Sequence, residues 1–327
     1  MKEEVSIRLI SHTSELPDMT SKNFFHSVEF FRILEATPMQ EPCMAVAMDK
    51  HGHVLAHMLT TIFFHHSIFP PVIYSHGRVY GEGEYASPSD RDTIFPRFLE
   101  AVTTRFNHHL CLYIEFSHLS NKMFGYKEFR RQGYFPVLWQ EIHNSLHSMP
   151  PADRLSDKTL KKINDARRRG ATSAIINGNS NDLQGAVKLL KSYFKLKVRR
   201  SIPDIEMFRQ LARSPHCRIY ATKFHDHIIG VCICIFTEGN AYMWHLASMR
   251  KTYMPLHPAT FTVWTALEEA HKEDIRHMYF MDAGLPFRRS PMRDFILSFG
   301  GMPVSKYRWF KFPIPFVSRM FDWLYNE

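Results

Sequence analysis

Apolar residues recur along the chain with two different periods, and each period predicts a type of element. Cys43–Met48 and Val54–Phe64 are apolar, β-rich segments on either side of a polar turn, which predicts a hairpin. Thr93–Asn107 has helical spacing of its apolar positions, and the unbroken apolar run Cys111–Phe116 predicts a buried strand. The first half of the chain is therefore expected to form a sheet with helices.

The second half repeats this order of elements. The predicted elements are a hairpin at Arg218–Phe224 and Ile229–Thr237, a strand at Ala241–Ser248, a helix at Pro258–Lys272, and a strand at His277–Met281 closed by Asp282. A strand, helix and strand in this order predict neighbouring parallel strands, whose carboxyl-end loops gather polar groups beside a crevice. The chain therefore looks duplicated at the level of the fold, although no convincing sequence repeat accompanies the duplication.

Several short motifs in the stretch Asn240–Gly301 occur in a characteristic order. They are Tyr253 and Pro258 in a polar loop, Trp264 in the following helix, Asp282 at a strand end, and Phe299-Gly300-Gly301 after the last helix. In this the chain resembles the FemAB/FemX family of peptidyl (aminoacyl) transferases. The resemblance implies an α/β (α+β) fold of two tandem GNAT-like (acyl-CoA N-acyltransferase-like) domains, with mixed sheets flanked by helices. We expect an N-terminal domain at residues 1–150 and a C-terminal domain with the active crevice at 151–327.

The resemblance also implies a reaction. We expect transfer of an acyl or aminoacyl group to an amine of a cell-envelope or sugar- or peptide-linked acceptor. The donor is acyl-CoA by fold or aminoacyl-tRNA by family, and no tightly bound cofactor is expected. One departure favours an alternative, a catalytically inactive ligand-binding protein, because the family's Phe-Lys pair is Phe295-Ile296 here.

Three residues are candidates for the chemistry. Acyl transfer to an amine needs a proton acceptor, a polarised carbonyl and close positioning, but no covalent nucleophile. Asp282 can accept or orient an amine proton, or cap the following loop. Tyr253 can donate to an oxyanion or leaving group, or pack its ring. His245 is a candidate base because histidine side chains ordinarily change charge near neutral pH. Its neighbour Trp244 is expected to face the opposite side of the strand.

Arginines are the main candidates for substrate binding. Arg288 and Arg289 can clamp a phosphate or carboxylate, or remain exposed loop charges. By resemblance, Arg200 matches a position that faces the acceptor. Trp244 and Phe299 are further candidates for contacts with the substrate.

Arg78, Gly81 and Gly83 spell R-x-x-G-x-G, the signature with which GNAT acetyltransferases hold the pyrophosphate of coenzyme A. The chemistry requires backbone N–H groups at the start of a helix. Here the segment Glu84–Asp90 separates the glycines from the next predicted helix, near Asp92. The motif is therefore either a donor loop or an arginine- and glycine-rich loop without that role.

The 327 residues have a formal net charge of +9, with a pI of about 9.3, which favours an anionic partner. The basic segment Ser156–Gly170 predicts a capped helix, either a solvated linker or an electrostatic seat for tRNA or a phosphorylated substrate. Charge alone also allows a nucleic-acid-binding protein, although no DNA partner is expected. Five scattered cysteines predict reduced core thiols, and no metal site is expected.

No apolar run is long enough to span a bilayer, and the first residues do not form a signal peptide. We therefore expect a cytoplasmic location. The tail Pro313–Glu327 is rich in aromatic residues, and Phe316, Met320, Phe321 and Leu324 have helical spacing. This helix either docks on the core or contacts a membrane surface near a lipid-linked substrate.

Overall fold

The computed structural model describes residues 5–67, 72–119, 124–195 and 202–326. Within these ranges the helices are α1 (Val28–Glu35), α2 (Pro88–His108), α3 (Tyr126–Arg131), α4 (Asp157–Arg168), α5 (Asn181–Phe194), α6 (Ile205–Leu211), α7 (Pro258–Lys272), α8 (Pro291–Leu297) and α9 (Pro315–Asn326). The strands are β1 (Ser6–Ile10), β2 (Gln40–Met48), β3 (Val54–Ser67), β4 (Val72–Tyr80), β5 (Glu84–Tyr85), β6 (Tyr113–Ser117), β7 (Phe135–Ser145), β8 (Ala171–Ile175), β9 (Cys217–Phe224), β10 (His227–Thr237), β11 (Asn240–Ser248), β12 (His277–Gly284) and β13 (Met302–Lys311).

The chain forms two compact units. Unit 1 comprises Met1–Leu138 together with Lys306–Glu327, and unit 2 comprises Trp139–Ser305. The predicted division at residue 150 differs from this in two ways. The boundary falls inside β7, and the last segment of the chain returns to unit 1 because the end of β13 pairs with β6.

Unit 1 contains a mixed sheet of the order β1-β2-β3-β4-β6-β13, with β5 beside β3. The strands are antiparallel except for β4 and β6, which are parallel. Alternate residues of β2 point to opposite faces: Ala45 and Ala47 join the core under α2, while Met44 and Val46 are buried on the other face. Helices therefore cover a sheet whose core is apolar on both sides.

Unit 2 repeats this arrangement with different strands. Its sheet has the order β8-β9-β10-β11-β12-β7, and only β11 and β12 are parallel. The sequence of antiparallel and parallel pairings is the same as in unit 1. The predicted duplication of a mixed sheet flanked by helices is therefore confirmed.

Close packing of α7 on the sheet positions the start of this helix. Thr262 of α7 bonds Thr222 of β9 through their hydroxyl oxygens, which are 2.6 Å apart. A Cβ at Gly230 of β10 would lie 2.2 Å from the Thr262 hydroxyl, so only glycine permits this approach.

No helix in the described part of the chain is long and apolar enough to span a bilayer.

Candidate active site

The two parallel strands of unit 2 separate halfway along their length. β11 and β12 pair from Asn240 opposite His277 to Met243 opposite Phe280, yet they continue to Ser248 and Gly284. The register of β10 against β11 shifts at the same level, since Ile233 is opposite His245 and Cys234 is opposite Met243. Trp244 is thus the extra residue of a β-bulge, a feature that bends a strand away from its neighbours. A crevice opens beyond this bulge.

A cavity of about 1080 Å³ lies at this end of β11. Its walls come from the end of β11 and the loop after it, from the start of α7, from one side of α5, from α4, from the β9–β10 turn and from α8. These elements are far apart in sequence, and the fold of unit 2 brings them together. The volume is slightly above the range of about 300–1,000 Å³ that is usual for ligand sites.

The cavity walls carry more positive than negative side chains. The cations are Lys162, Lys188, Arg250 and Lys251. The acids are Asp182 and Asp226, and Asp182 already binds Lys223 at 3.0 Å. The cavity therefore favours an anionic ligand. Lys162 belongs to the basic segment Ser156–Gly170, for which the sequence analysis left open a role in binding a phosphorylated substrate. The other three cations were not predicted, although Arg250-Lys251 directly after a predicted strand was an available signal.

His257 joins this loop to α7. It precedes Pro258 and has a left-handed conformation with φ of 43°. The pKa of its imidazole is lowered, mainly by burial and secondly by the positive charge of Lys162. The backbone N–H groups of Tyr253, Leu256 and His257 donate to carbonyls within the loop. These three N–H groups are therefore already satisfied within the loop.

The bulge changes the predicted orientation of two candidates. The rings of Trp244 and His245 stack with centroids 5.1 Å apart, so the expectation that they face opposite sides of the strand is wrong. The extra residue of the bulge breaks the alternation on which that expectation rested. His245 also meets the edges of Phe194 and Phe208 at 6.1 and 6.3 Å.

Asp282 lies on β12, which extends past it to Gly284 rather than ending at Met281 as predicted. The indole N–H of Trp139 donates to Asp282 Oδ1 at 3.1 Å. On the neighbouring strand β7, His143 Nε2 lies 3.1 Å from Glu141 Oε2. Sequence reasoning missed Glu141 and His143, although their spacing of two residues on a strand places them on one face.

The other predicted site residues have separate environments. Tyr253 lines the cavity and packs its ring against Phe224 at 6.1 Å, so the packing interpretation holds alongside a place in the cavity wall. Arg288 and Arg289 are exposed in the loop before α8. Phe299 is fully buried in the core, so its side chain supports the site only by packing. Arg200 lies outside the described residues.

The position of the missing lysine is filled by a core residue. Ile296 on α8 is 3% exposed and packs in the core of unit 2. Arg293, one turn earlier, donates to Gln140 Oε1 at 2.7 Å and to the Leu285 carbonyl at 2.9 Å. Its guanidinium thus fixes the loop after β12, which argues against its replacing the lysine.

The R-x-x-G-x-G motif of unit 1 has a structural role. Arg78 lies inside β4, forms an ion pair with Glu115, and donates to Ser117 Oγ at 3.1 Å. Gly81 and Gly83 both have φ of 87°, and a Cβ at Gly81 would lie 2.8 Å from His26 Nε2. The Gly81 N–H donates to the Ser117 carbonyl at 2.7 Å and the Gly83 N–H donates to His26 Nε2 at 3.0 Å. Because a donor loop needs these backbone N–H groups, their bonds inside unit 1 argue against that interpretation of the motif.

Comparisons with known proteins agree with this geometry. Residues 157–289 match the model of the Acetyltransferase (GNAT) domain. The FemX structure has a TM-score of 0.61 at 8% identity, covering 92% of this chain and 94% of that chain. A tandem GNAT protein from the clavulanic acid biosynthesis pathway has a TM-score of 0.60 at 16% identity, covering 95% of this chain and 99% of that chain. L-PGS from Bacillus licheniformis has a TM-score of 0.58 at 12% identity, covering 90% and 92%.

No curated protein matches the chain in sequence. The duplicated sheet, the parted parallel strands and the matched domain define a protein of the GNAT fold. The FemX structure and the tandem GNAT structure match the chain over nearly their whole length, so the fold extends over both units. The fold predicted from sequence is confirmed.

Proposed function

We propose that the protein is an N-acyl or aminoacyl transferase whose donor occupies the basic cavity of unit 2. The observation that carries this proposal is the separation of β11 from β12 beside that cavity. A gap between two parallel strands lets an extended donor pass its acyl group from the cavity toward the polar residues on β12 and β7. The cations of the cavity then hold its phosphates.

The reaction requires few groups from the protein. The amine nitrogen of the acceptor forms a bond to the acyl carbon, and the bond from that carbon to the donor's sulfur or oxygen breaks. The amine proton passes to a base, for which Asp282 and the Glu141–His143 pair are candidates, and the leaving group takes up a proton. Tyr253, in the cavity wall, is the candidate to supply that proton, and His245 is the remaining candidate base on β11.

Two donors share the chemistry that the cavity favours. Acyl-CoA and aminoacyl-tRNA both carry phosphates and an activated acyl carbon. The similar tandem GNAT structure is described as the form without AcCoA, which supports the first donor, and the likeness to FemX supports the second. We propose an acceptor amine of the cell envelope, with Arg288 and Arg289 contacting its anionic groups.

One observation favours a second function, that of a ligand-binding protein without catalysis. Ile296 is buried where the resembled family has a lysine, and Arg293 is held by bonds to the loop after β12. A protein with this site retains the cavity but lacks the cation that stabilises charge during transfer.

A turnover assay separates the two functions. Purified protein is incubated with acetyl-CoA, a long-chain acyl-CoA or charged tRNA and a panel of amines, and products are detected by mass spectrometry. The proposal expects acylated product from one donor and a fall of about a hundredfold in kcat for Asp282→Asn, the size of a general-base contribution. If a donor binds but no amine of the panel yields a product, the result supports the function of a ligand-binding protein. If none of the donors binds, the result overturns both proposed functions.

A further inference from the structure

Helix α9 exposes a continuous apolar stripe. Phe316 is 74% exposed, Met320 46%, Trp323 61% and Leu324 58%. Their spacing of four, three and one residues places all four side chains on one side of a helix. Four large apolar side chains on one exposed stripe exceed the scattered apolar residues of an ordinary surface.

The opposite side of α9 fixes the helix to unit 1. The ring of Phe321 stacks on Phe312 with centroids 4.9 Å apart, and the Phe312 N–H donates to Ser318 Oγ at 2.9 Å. Arg130 of α3 binds Asp322 at 2.9 Å. The inner side of the helix therefore packs on unit 1, and the apolar stripe on its outer side is exposed and takes no part in the core.

Further apolar residues are exposed at one end of the unit 1 sheet. β4 and β6 both begin at this end, and β13 finishes there, because Tyr113 pairs with His76 and Lys311 with Ile114. The residues beside these strand ends are exposed: Ile73 by 84%, Leu110 by 82%, Leu112 by 52% and Ile314 by 61%. Together with the stripe of α9 they form what we call the apolar rim.

Positive charge flanks the rim. Arg319 lies beside the stripe on α9 and is exposed, as are Lys127 and Arg131 on the adjacent helix α3. Asp322, the acid among the described residues of α9, is neutralised by Arg130, and Glu128 is the acid of α3. The balance is positive, so the surface complements a negatively charged partner.

We propose that the apolar rim lies on the surface of a bilayer that contains anionic lipid. An aromatic and aliphatic stripe with flanking cations is the composition of a helix that lies in the membrane interface. A fluid bilayer accepts exposed apolar side chains without a complementary shape. A second protein would need a packed surface of about 800 Å² on each side.

Vesicle flotation tests the proposal with the full chain. Vesicles of phosphatidylcholine alone are compared with vesicles containing about a third phosphatidylglycerol. We expect at least tenfold more protein to float with the anionic vesicles. The double variant Phe316→Ser/Trp323→Ser is expected to lose at least tenfold of this binding, and Arg319→Glu to lose about threefold.

The matched control is Phe287→Ser/Met302→Ser, which removes two side chains of unit 2 that are 61% and 72% exposed. This control is expected to float like the wild type. Circular dichroism and thermal midpoints check that each variant is folded, and Arg319→Glu, a change at an exposed site, provides the test if the double variant is not.

Three results would overturn the proposal. The first is a wild-type protein that floats with neither kind of vesicle. The second is rim variants that bind as well as the wild type. The third is a dimer in light scattering that Phe316→Ser/Trp323→Ser converts to monomer without any change in flotation, which would make the rim a contact between copies. Because flotation needs no donor or acceptor, its outcome does not depend on the proposed enzymatic function.

Discussion

The six-stranded sheets of the two units have the same succession of antiparallel and parallel pairings, but they differ at their single parallel pair. In unit 1, β4 and β6 pair at five positions, from His76 opposite Tyr113 to Tyr80 opposite Ser117, and so remain joined to their ends. In unit 2, β11 and β12 pair at four positions and then separate. One unit is thus closed where the other opens a crevice.

Side chains account for the closure of unit 1. Glu115 on β6 binds Arg78 on β4 and also Arg308 on β13, the latter at 3.1 Å. Unit 2 has the Trp244 bulge at the corresponding step and a basic cavity beyond it. A duplicated fold therefore has a basic cavity in one copy and a buried ionic network in the other, and a signature sequence alone does not tell which copy has the cavity.

Breaking the network of unit 1 should have the largest effect. Glu115→Gln removes the negative charge that Arg78 and Arg308 share in the interior, which costs about 3–5 kcal/mol of unfolding free energy. Urea denaturation measures this loss. Donor affinity at temperatures where the variant is folded should be unchanged, and a loss of donor binding by the folded variant would mean that unit 1 contributes to the donor site.

Removing charge from the cavity should weaken donor binding in unit 2. Lys188→Ala/Arg250→Ala is expected to raise the dissociation constant of coenzyme A, or of tRNA if that is the donor, about 10–30-fold. Two partly solvated cations contribute roughly 1 kcal/mol each. Lys191→Ala is the control, since it removes a cation of the same helix that does not line the cavity. Equal effects of the two variants in calorimetry would contradict the cavity as donor site.

Acid should destabilise unit 1 through His26. Burial lowers the pKa of this histidine to about 4, and the N–H groups of Leu59 and Gly83 face its two ring nitrogens at 3.1 and 3.0 Å. The unfolded chain takes up the proton first, so stability falls as the pH drops from 6.5 toward 4, by about 2 kcal/mol at pH 5. His26→Gln should reduce the loss of stability between pH 7.5 and 5.0 by that amount, and an unchanged loss would contradict the assignment.

The smallest effect is expected from the exposed arginines of unit 2. Arg288→Ala/Arg289→Ala should raise the KM for an anionic acceptor about threefold, because solvent-exposed charges contribute less than 1 kcal/mol. The dissociation constant of the donor should stay the same. Steady-state kinetics with the acceptor identified by the turnover assay tests this, and a change confined to donor binding would assign these arginines to the cavity instead.

Much of the fold was predictable because local patterns agree with it. Apolar periodicity gave the β2–β3 hairpin and the bounds of α7, and Ser156 caps α4 by accepting from the Thr159 N–H at 3.3 Å. It was not predictable that the end of β13 belongs to unit 1, because the local sequence of β13 does not indicate which strand it pairs with.

The site was predicted less completely. Asp282 and Tyr253 were found because they follow recognisable motifs, although their roles remain predictions. Lys188 was missed because it approaches the loop after β11 only through the fold, from a helix distant in sequence. The bulge at Trp244 was missed for a similar reason: an extra residue in a strand is defined by its partner strand, which a single segment does not contain.

The origin of the sixth strand in unit 1 has a consequence for synthesis on the ribosome. Residues 306–311 of β13 complete the sheet of unit 1 by pairing with β6, yet they are translated after all of unit 2. Until they emerge, β6 is an open edge available to other strands. Unit 1 begins first and finishes last, so stalled or prematurely terminated translation leaves an unfinished N-terminal sheet as the species most prone to aggregate.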